Sequence, residues 1–110
     1  MLNWLHYFLL FGGGVFLMNA VPHLVSGVLG RPFQSPFAQP RGEGLSSSTV
    51  NVLWGFANLV LAYLLLVRFG AFHWDDGVDA LVIGLGAFAI SLFAARHFGR
   101  FHGGNTPERQ

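Results

Sequence analysis

Residues 45–67 read LSSSTVNVLWGFANLVLAYLLLV, a run without a charged side chain that ends at Arg68. The hydroxyl groups of residues 46–49 can accept hydrogen bonds from the backbone N–H groups that are unpaired at a helix start. At about 1.5 Å of rise per residue, a helix of this length crosses a hydrocarbon layer about 30 Å thick. The run therefore predicts a membrane-spanning helix over residues 46–67.

A second uncharged run precedes this segment. No charged side chain occurs in residues 1–30, and the apolar stretch within them is long enough to cross the same layer. A cleaved signal peptide is the competing interpretation, but no Lys or Arg precedes the apolar stretch and Met18-Asn19-Ala20 is a poor cleavage site. We expect residues 4–29 to form the first span.

A third uncharged run lies between Asp79 and Arg96. It is short for a span, so the predicted segment of residues 78–97 includes Val78 and the aliphatic stem of Arg96. Asp76 fits the N-cap of this helix, and Asp79 lies three residues later at the capping-box position.

The composition of the whole chain agrees with these three runs. Of the 110 residues, 53% are hydrophobic and 10% are charged, whereas a soluble domain carries roughly 25% charged residues. Disordered chains are poor in aromatic residues, which make up 15% here. The sequence thus predicts an all-α membrane protein with three transmembrane helices in one domain. Its parts besides the spans are a loop at residues 30–45, an outer loop at 68–77 and a polar tail at 103–110.

The arginines set the expected orientation. One side of the membrane carries the loop of residues 30–45 and the C-terminal tail, with Arg31, Arg41, Arg96, Arg100 and Arg109. The other side carries Arg68. Because cytoplasmic segments are enriched in Lys and Arg, we expect the N-terminus outside and the C-terminus in the cytoplasm. Four aromatic residues then fall near the outer interface: Trp4, Tyr7, Tyr63 and Trp74.

The loop of residues 30–45 contains Pro32-Phe33 and Pro36-Phe37. Proline removes a backbone donor and fixes φ, so regular helix is not expected here. Phenylalanine rings and guanidinium groups beside a span favour a segment at the membrane surface, and docking of a cytoplasmic partner is the alternative. The predicted ligands of lipid head groups are Arg31, Arg41, Arg96, His97 and Arg100.

Several polar side chains lie within the predicted spans. Asn19, His23 and Ser26 share one face of the first helix, and a second polar pair shares one face of the next helix. Counted inward from the cytoplasmic boundary, the two sets lie at matching depths. We therefore predict a buried polar cluster in the cytoplasmic half, with Ser26 and Ser91 at its edge. The cluster consists of Asn19, His23, Asn51 and Asn58.

Two interpretations of this cluster stay open. Amides and an imidazole can join helices, each hydrogen bond contributing about 0.6 kcal/mol in a membrane. An ionisable residue inside a membrane is also a candidate for function by default. His23 can relay a proton, hold a head group or ligate a metal. The four residues are therefore candidates for ligand binding as well as for helix packing.

Small residues recur at helical spacing in two of the runs. In the second run they include Gly55 and Ala62 beside the two asparagines. In the third run they are Ala80, Gly84, Ala87, Ser91 and Ala95. Small residues let helix backbones approach closely in a membrane. We expect these stripes to form the internal seam of the bundle or a contact between copies of the chain.

Catalytic and metal chemistry find little support in the sequence. Cysteine is absent, which excludes disulfides, thiolate catalysis and Cys-ligated metals, and no Ser-His-Asp constellation or nucleotide fingerprint occurs. His73 and the neighbouring aspartates resemble a divalent-ion cluster, but helix capping explains Asp76 and Asp79 without an ion. The net charge of +1 provides no basic stripe for nucleic acid. We expect no cofactor, no metal and no nucleic-acid partner.

Four segments of the sequence resemble small bacterial inner-membrane proteins of unknown function. These segments are residues 19–23, 30–38, 46–55 and 96–102. The resemblance covers most of the chain and implies a bacterial plasma membrane. It implies no activity, cofactor or site residue.

The sequence supports two main functional hypotheses. The first is a small integral membrane protein that acts through helix packing, as an accessory or structural subunit or as a homo-oligomer, with lipids and other transmembrane helices as partners. The alternative is a small carrier or pore that binds a small ligand, an ion or a lipid head group in the polar cluster, where Pro22 breaks the helix. An enzyme acting on a lipid or a quinone is a third option, and it requires His23 to titrate with activity.

Overall fold

In the computed structural model, which describes residues 3–109, the chain is mostly helical. The elements in chain order are α1 (Trp4–Val28), β1 (Phe33–Gln34), β2 (Leu45–Ser46), α2 (Ser48–Tyr63) and α3 (Gly77–His102), with a π-helical turn at Leu64–Arg68 and a 3₁₀ turn at Pro107–Arg109. Within the described residues, three helices are long and apolar enough to cross a membrane: Trp4–Val28, Ser48–Arg68 and Gly77–His102. The predicted helical fold is confirmed at this level, and insertion into a membrane stays a prediction.

Side-chain caps begin each of the three helices. The Asn3 side chain accepts from two backbone N–H groups at the start of α1, and Ser47 accepts from one at the start of α2. Asp76 caps α3, as predicted, by accepting from the backbone N–H groups of Val78 and Asp79. The predicted capping-box role of Asp79 is wrong, because its carboxylate accepts from His6 and from the backbone N–H of His73, whereas the backbone N–H of Asp76 donates to the carbonyl oxygen of His73.

Helix α3 is longer at its C-terminal end than the predicted span of residues 78–97. It continues to His102, and Gly103 ends it with a φ of 80°. A left-handed residue at this position is the usual helix stop, and glycine adopts it without a steric penalty. Arg96 and Arg100 lie on this last part of the helix and are exposed. The charged side chains therefore did not end the helix.

Helix α1 is the centre of the fold. It packs against both α2 and α3, whereas α2 and α3 make only marginal contact with each other over the described residues. At the crossing of α1 and α3, a Cβ atom added to Gly14 would overlap the backbone of Ile83, and one added to Gly86 would overlap the backbone of Phe11. The two backbones therefore touch directly, which only glycine permits.

The stripes of small residues differ in burial between α2 and α3. In α2 the buried residues are Asn51, Gly55, Asn58 and Ala62, as expected for an internal seam. In α3 the internal-seam alternative is wrong for Ala80, Gly84 and Ala95, which are exposed, and the alternative of a contact between copies stays a prediction. The buried positions of α3 are Asp79, Gly86 and Gly99. Contact with the backbone of Phe11 requires a glycine at position 86, and this contact turns the stripe through Gly84 outward.

The loop between α1 and α2 is an ordered β-hairpin, which is a departure from the predicted all-α fold. Its strands β1 and β2 pair antiparallel. The ring of Phe33 stacks on the imidazole of His102, with centroids 5.1 Å apart, and lies 4.7 Å from the ring of Phe98. Phe33 therefore packs on α3, and the expected position of the loop at the membrane surface stays a prediction. Phe37, in contrast, is 62% exposed.

Candidate functional site

The four predicted cluster residues lie together at the end of the bundle that carries the hairpin. Successive turns of α1 supply Asn19 and His23, and the facing side of α2 supplies Asn51 and Asn58. His23 Nδ1 lies 2.7 Å from Asn51 Oδ1, and Asn19 Nδ2 donates to Asn58 Oδ1 at 3.0 Å. The structure thus brings all four together in two hydrogen-bonded pairs. Their role in ligand binding stays a prediction.

Asn51 is the most connected member of this cluster. It is fully buried, and its Nδ2 lies within hydrogen-bond distance of three backbone carbonyl oxygens, those of Phe33 at 3.2 Å, Ser46 at 3.2 Å and Ser47 at 3.0 Å. The two amide hydrogens are shared among these acceptors. One side chain of α2 therefore joins both strands of the hairpin, the start of its own helix and α1.

This arrangement fixes the tautomer of His23. Because the Asn51 Nδ2 group is surrounded by carbonyl oxygens, the Asn51 Oδ1 atom must face the imidazole, and His23 Nδ1 donates its proton to it. The neutral ring then carries a lone pair on Nε2. Over residues 3–109, Nε2 has no hydrogen-bond partner. His23 is therefore a hydrogen-bond acceptor at this atom.

Aromatic rings surround the His23 imidazole. The ring centroids of Phe33, Trp54 and Phe98 lie 5.5, 6.3 and 6.1 Å from that of His23, all in edge-on arrangements. The residue is only 2% exposed. These contacts fix the ring plane, so that the direction of the Nε2 lone pair is set by packing as well as by the hydrogen bond to Asn51.

A cavity of about 340 Å³ adjoins the cluster. The hairpin forms one wall, and α1, α2 and α3 contribute the others. Its polar lining comes from Asn19, His23, Gln34, Ser35, Arg41 and His97, and its aromatic lining comes from Trp54, Phe93 and Phe98. The cavity therefore contains two of the predicted ligand-binding residues and two of the predicted head-group ligands.

The other predicted residues are distributed around this site. Arg96, His97 and Arg100 line a neighbouring depression of about 370 Å³, whereas Arg31 lines neither cavity. Asn51 and Asn58 lie behind the cavity, where they hold its wall. Ser91 lies in a groove on the α1–α3 side and donates to the carbonyl oxygen of Ala87 at 2.7 Å. Ser26 lines none of these spaces.

Two histidines of α3 tie the hairpin to the helix. His97 Nε2 donates to the carbonyl oxygen of Gly42 at 2.6 Å, and the guanidinium of Arg100 donates to His97 Nδ1 at 3.2 Å. His102 Nε2 donates to Gln34 Oε1 at 2.8 Å. Both ring nitrogens of His97 are therefore used within the protein, so His97 acts on the cavity by positioning its hairpin wall.

A second polar centre lies at the opposite end of the bundle. Asp79 is 2% exposed. Its carboxylate accepts from His6 Nε2 and from the backbone N–H of His73, each at 2.9 Å. The contact between Asp79 and His6 has no signal in the local sequence, because the two residues lie 73 positions apart in the chain. Within the described residues, no group of three His, Cys, Asp or Glu side chains is placed to hold a metal ion.

Comparison with known proteins identifies no relative of this chain. No protein-family model matches the chain, and neither the curated proteins nor the solved structures contain a match to it.

Proposed function

We propose that the protein is an integral membrane protein of three transmembrane helices that acts through helix packing, as a homo-oligomer of this chain. The observation that carries the proposal is the exposure of α3. Within this helix Asp79, Gly86 and Gly99 are buried, whereas large apolar side chains such as Leu81 and Phe88 are each 61% exposed. A helix with an apolar surface all around is suited to lipid and to other helices.

The charged residues support one orientation in the membrane. The hairpin and the C-terminal end of α3 are joined by hydrogen bonds and lie at the same end of the bundle. This end contains Arg31, Arg41, Arg96 and Arg100, and Arg68 follows α2 at the other end. The positive-inside rule places the hairpin end in the cytoplasm and the start of α1 outside. The resemblance to bacterial proteins favours the inner membrane.

The proposed orientation predicts opposite labelling of two cysteine variants. The chain contains no cysteine, so a single introduced thiol reports one position. In intact cells we expect a membrane-impermeant maleimide to label Asp75→Cys, in the loop before α3, and to label Glu43→Cys in the hairpin only after permeabilisation. Both positions are exposed. Labelling of both variants in intact cells would contradict three crossings.

The outward stripe of α3 supports contact with a second copy. A Cβ atom at Gly84 would have no atom within 4 Å, and Ala80 and Ala95 on the same stripe are exposed. Small residues on a lipid-facing surface allow close approach of another helix. Two identical stripes can meet across a twofold axis, which is the commonest symmetry of homo-oligomers. Two copies of α3 related in this way would form the dimer interface.

Cross-linking in native membranes tests this interface. We expect mild oxidation to convert most of the Gly84→Cys variant into a disulfide-linked dimer, because twofold symmetry brings the two thiols together. Leu53→Cys is the matched control, since this residue of α2 is 66% exposed and lies away from the stripe. Equal cross-linking of the two variants would indicate random collision, and the absence of dimers from both would favour an accessory role beside another protein.

A carrier or pore is the second candidate function. The cavity that contains Asn19 and His23 favours it, because it lies at the hairpin end between helices that scarcely touch. Pro22 interrupts the backbone hydrogen bonds of α1 next to this cavity. A single copy has no repeated halves of the kind that transporters use, so transport would depend on the proposed dimer.

A further inference from the structure

The cavity at the hairpin end presents two hydrogen-bond acceptors. His23 Nε2 carries a lone pair and Asn19 Oδ1 has no partner, because Asn19 uses its Nδ2 group to reach Asn58. Within residues 3–109, no fully enclosed side-chain nitrogen or oxygen lacks a hydrogen bond. Both acceptor atoms must therefore be open to the space that they line. Each can accept a hydrogen bond from a donor group of a ligand.

The charge of the cavity selects among donors. Over the described residues, its lining contains no Asp or Glu, and Arg41 is exposed at its edge without an ion pair. A metal cation or an ammonium group would be repelled by the Arg41 guanidinium and would have no carboxylate to pair with, so the lining disfavours cations. A hydroxyl is neutral and satisfies the acceptors, while an anion beside it pairs with Arg41.

The apolar walls indicate where the ligand comes from. Trp54, Phe93 and Phe98 line the cavity beside its polar groups. The marginal contact between α2 and α3 leaves the space open towards the surface that we assign to lipid. The volume of about 340 Å³ lies within the range of small-ligand sites, roughly 300–1,000 Å³. A head group can occupy the polar part while its acyl chains pass between the two helices.

We propose that this cavity binds the head group of an anionic phospholipid that carries free hydroxyls, with the hydroxyls donating to His23 Nε2 and Asn19 Oδ1 and the phosphate pairing with Arg41. The inference rests on the proposed membrane insertion and names the ligand class of the polar site. The group recognised is a phosphodiester with a hydroxyl-bearing substituent. A soluble glycerol phosphodiester contains the same group as the lipid.

Lipid binding to the purified protein in detergent tests the proposal. Phosphatidylglycerol supplies both the phosphate and the hydroxyls, whereas phosphatidylmethanol is equally anionic and has no hydroxyl. We expect phosphatidylglycerol to bind about tenfold more tightly, measured by titration and by the lipid adducts seen in native mass spectrometry. Glycerophosphoglycerol identifies the source of the ligand. Binding as tight as that of the lipid would support the site and assign it to a soluble phosphodiester.

Two arginine variants separate the site from general charge attraction. Arg41→Gln is expected to weaken phosphatidylglycerol binding about tenfold, while Arg68→Gln, which removes the same charge at the far end of the molecule, leaves binding unchanged. Both side chains are exposed, so neither change threatens the fold. Equal affinity for the two lipids, together with equal effects of the two variants, would overturn the proposal.

A histidine variant tests the acceptor directly. His23→Leu should reduce the preference for phosphatidylglycerol over phosphatidylmethanol, because one hydroxyl loses its acceptor while Asn19 Oδ1 and Arg41 remain in place. An undiminished preference in a folded His23→Leu protein would overturn the assignment of this residue. If this variant does not fold, the proposal is still tested by comparing Arg41→Gln with Arg68→Gln and phosphatidylglycerol with phosphatidylmethanol. Since binding is measured on solubilised protein, failure of Gly84→Cys to form dimers leaves these results unaffected.

Discussion

Gly86→Ala is expected to destabilise the protein by about 3 kcal/mol, at the upper end of the usual range for overpacking. The added methyl group would overlap the backbone carbonyl of Phe11, with its Cβ atom 2.9 Å from the carbonyl carbon. A helix backbone cannot rotate out of the way as a side chain can. The substitution therefore forces α1 and α3 apart and removes the packing between them.

Gly84→Ala is the matched control for this prediction. It adds the same methyl group to the same helix two residues away, at a position with no atom within 4 Å. Because alanine has a higher helix propensity than glycine, this variant should equal or slightly exceed the parent in stability when both are monomeric in detergent, where the proposed contact between two Gly84 stripes is not made. The free energies of unfolding of both variants can be measured by denaturant titration in mild detergent. Equal stabilities would show that α1 and α3 do not meet at Gly86.

Asn51→Leu is expected to have an effect of similar size, about 3 kcal/mol. The substitution keeps the branching of the side chain at Cγ but removes every hydrogen bond that it makes. His23 Nδ1 and the carbonyl oxygens of Phe33 and Ser46 lose this partner. A buried polar group left without a partner costs about 1–3 kcal/mol. The hairpin should detach from α2, and amide exchange across residues 33–46 should increase.

Asn19→Leu provides the contrast to Asn51→Leu. It removes the single bond from Asn19 Nδ2 to Asn58 Oδ1, and membrane hydrogen bonds contribute about 0.6 kcal/mol on average. We expect a loss of about 1 kcal/mol and no change in amide exchange across the hairpin. If the two variants lost the same stability, Asn51 would be an ordinary interhelical contact rather than the centre of a network.

The helices were predictable because their signal is local. A run such as residues 45–67 contains enough apolar residues for a span without reference to any other part of the chain. The polar cluster was also predictable, since depth along two antiparallel helices can be counted from their shared boundary. The pairing of His23 with Asn51 and of Asn19 with Asn58 agrees with that count.

The features that were missed depend on contacts between distant segments. The pattern of small residues in α3 fits either of two faces, and only the backbone of Phe11 on α1 selects Gly86 over Gly84. Similarly, Asp79 looks like a local cap until His6 is placed next to it. The cavity itself depends on the hairpin, whose position is set by contacts of its residues with His97 and His102. None of these three contacts can be predicted from the sequence of one segment alone.

The central position of α1 has a mechanical consequence. Because α2 and α3 scarcely meet, α3 can tilt about its crossing with α1 without stretching any bond made by Asn51. The tethers from His97 and His102 to the hairpin set the limit of that tilt. A change in the crossing angle of α1 and α3 at Gly14 and Gly86 would therefore change the width of the opening between α2 and α3.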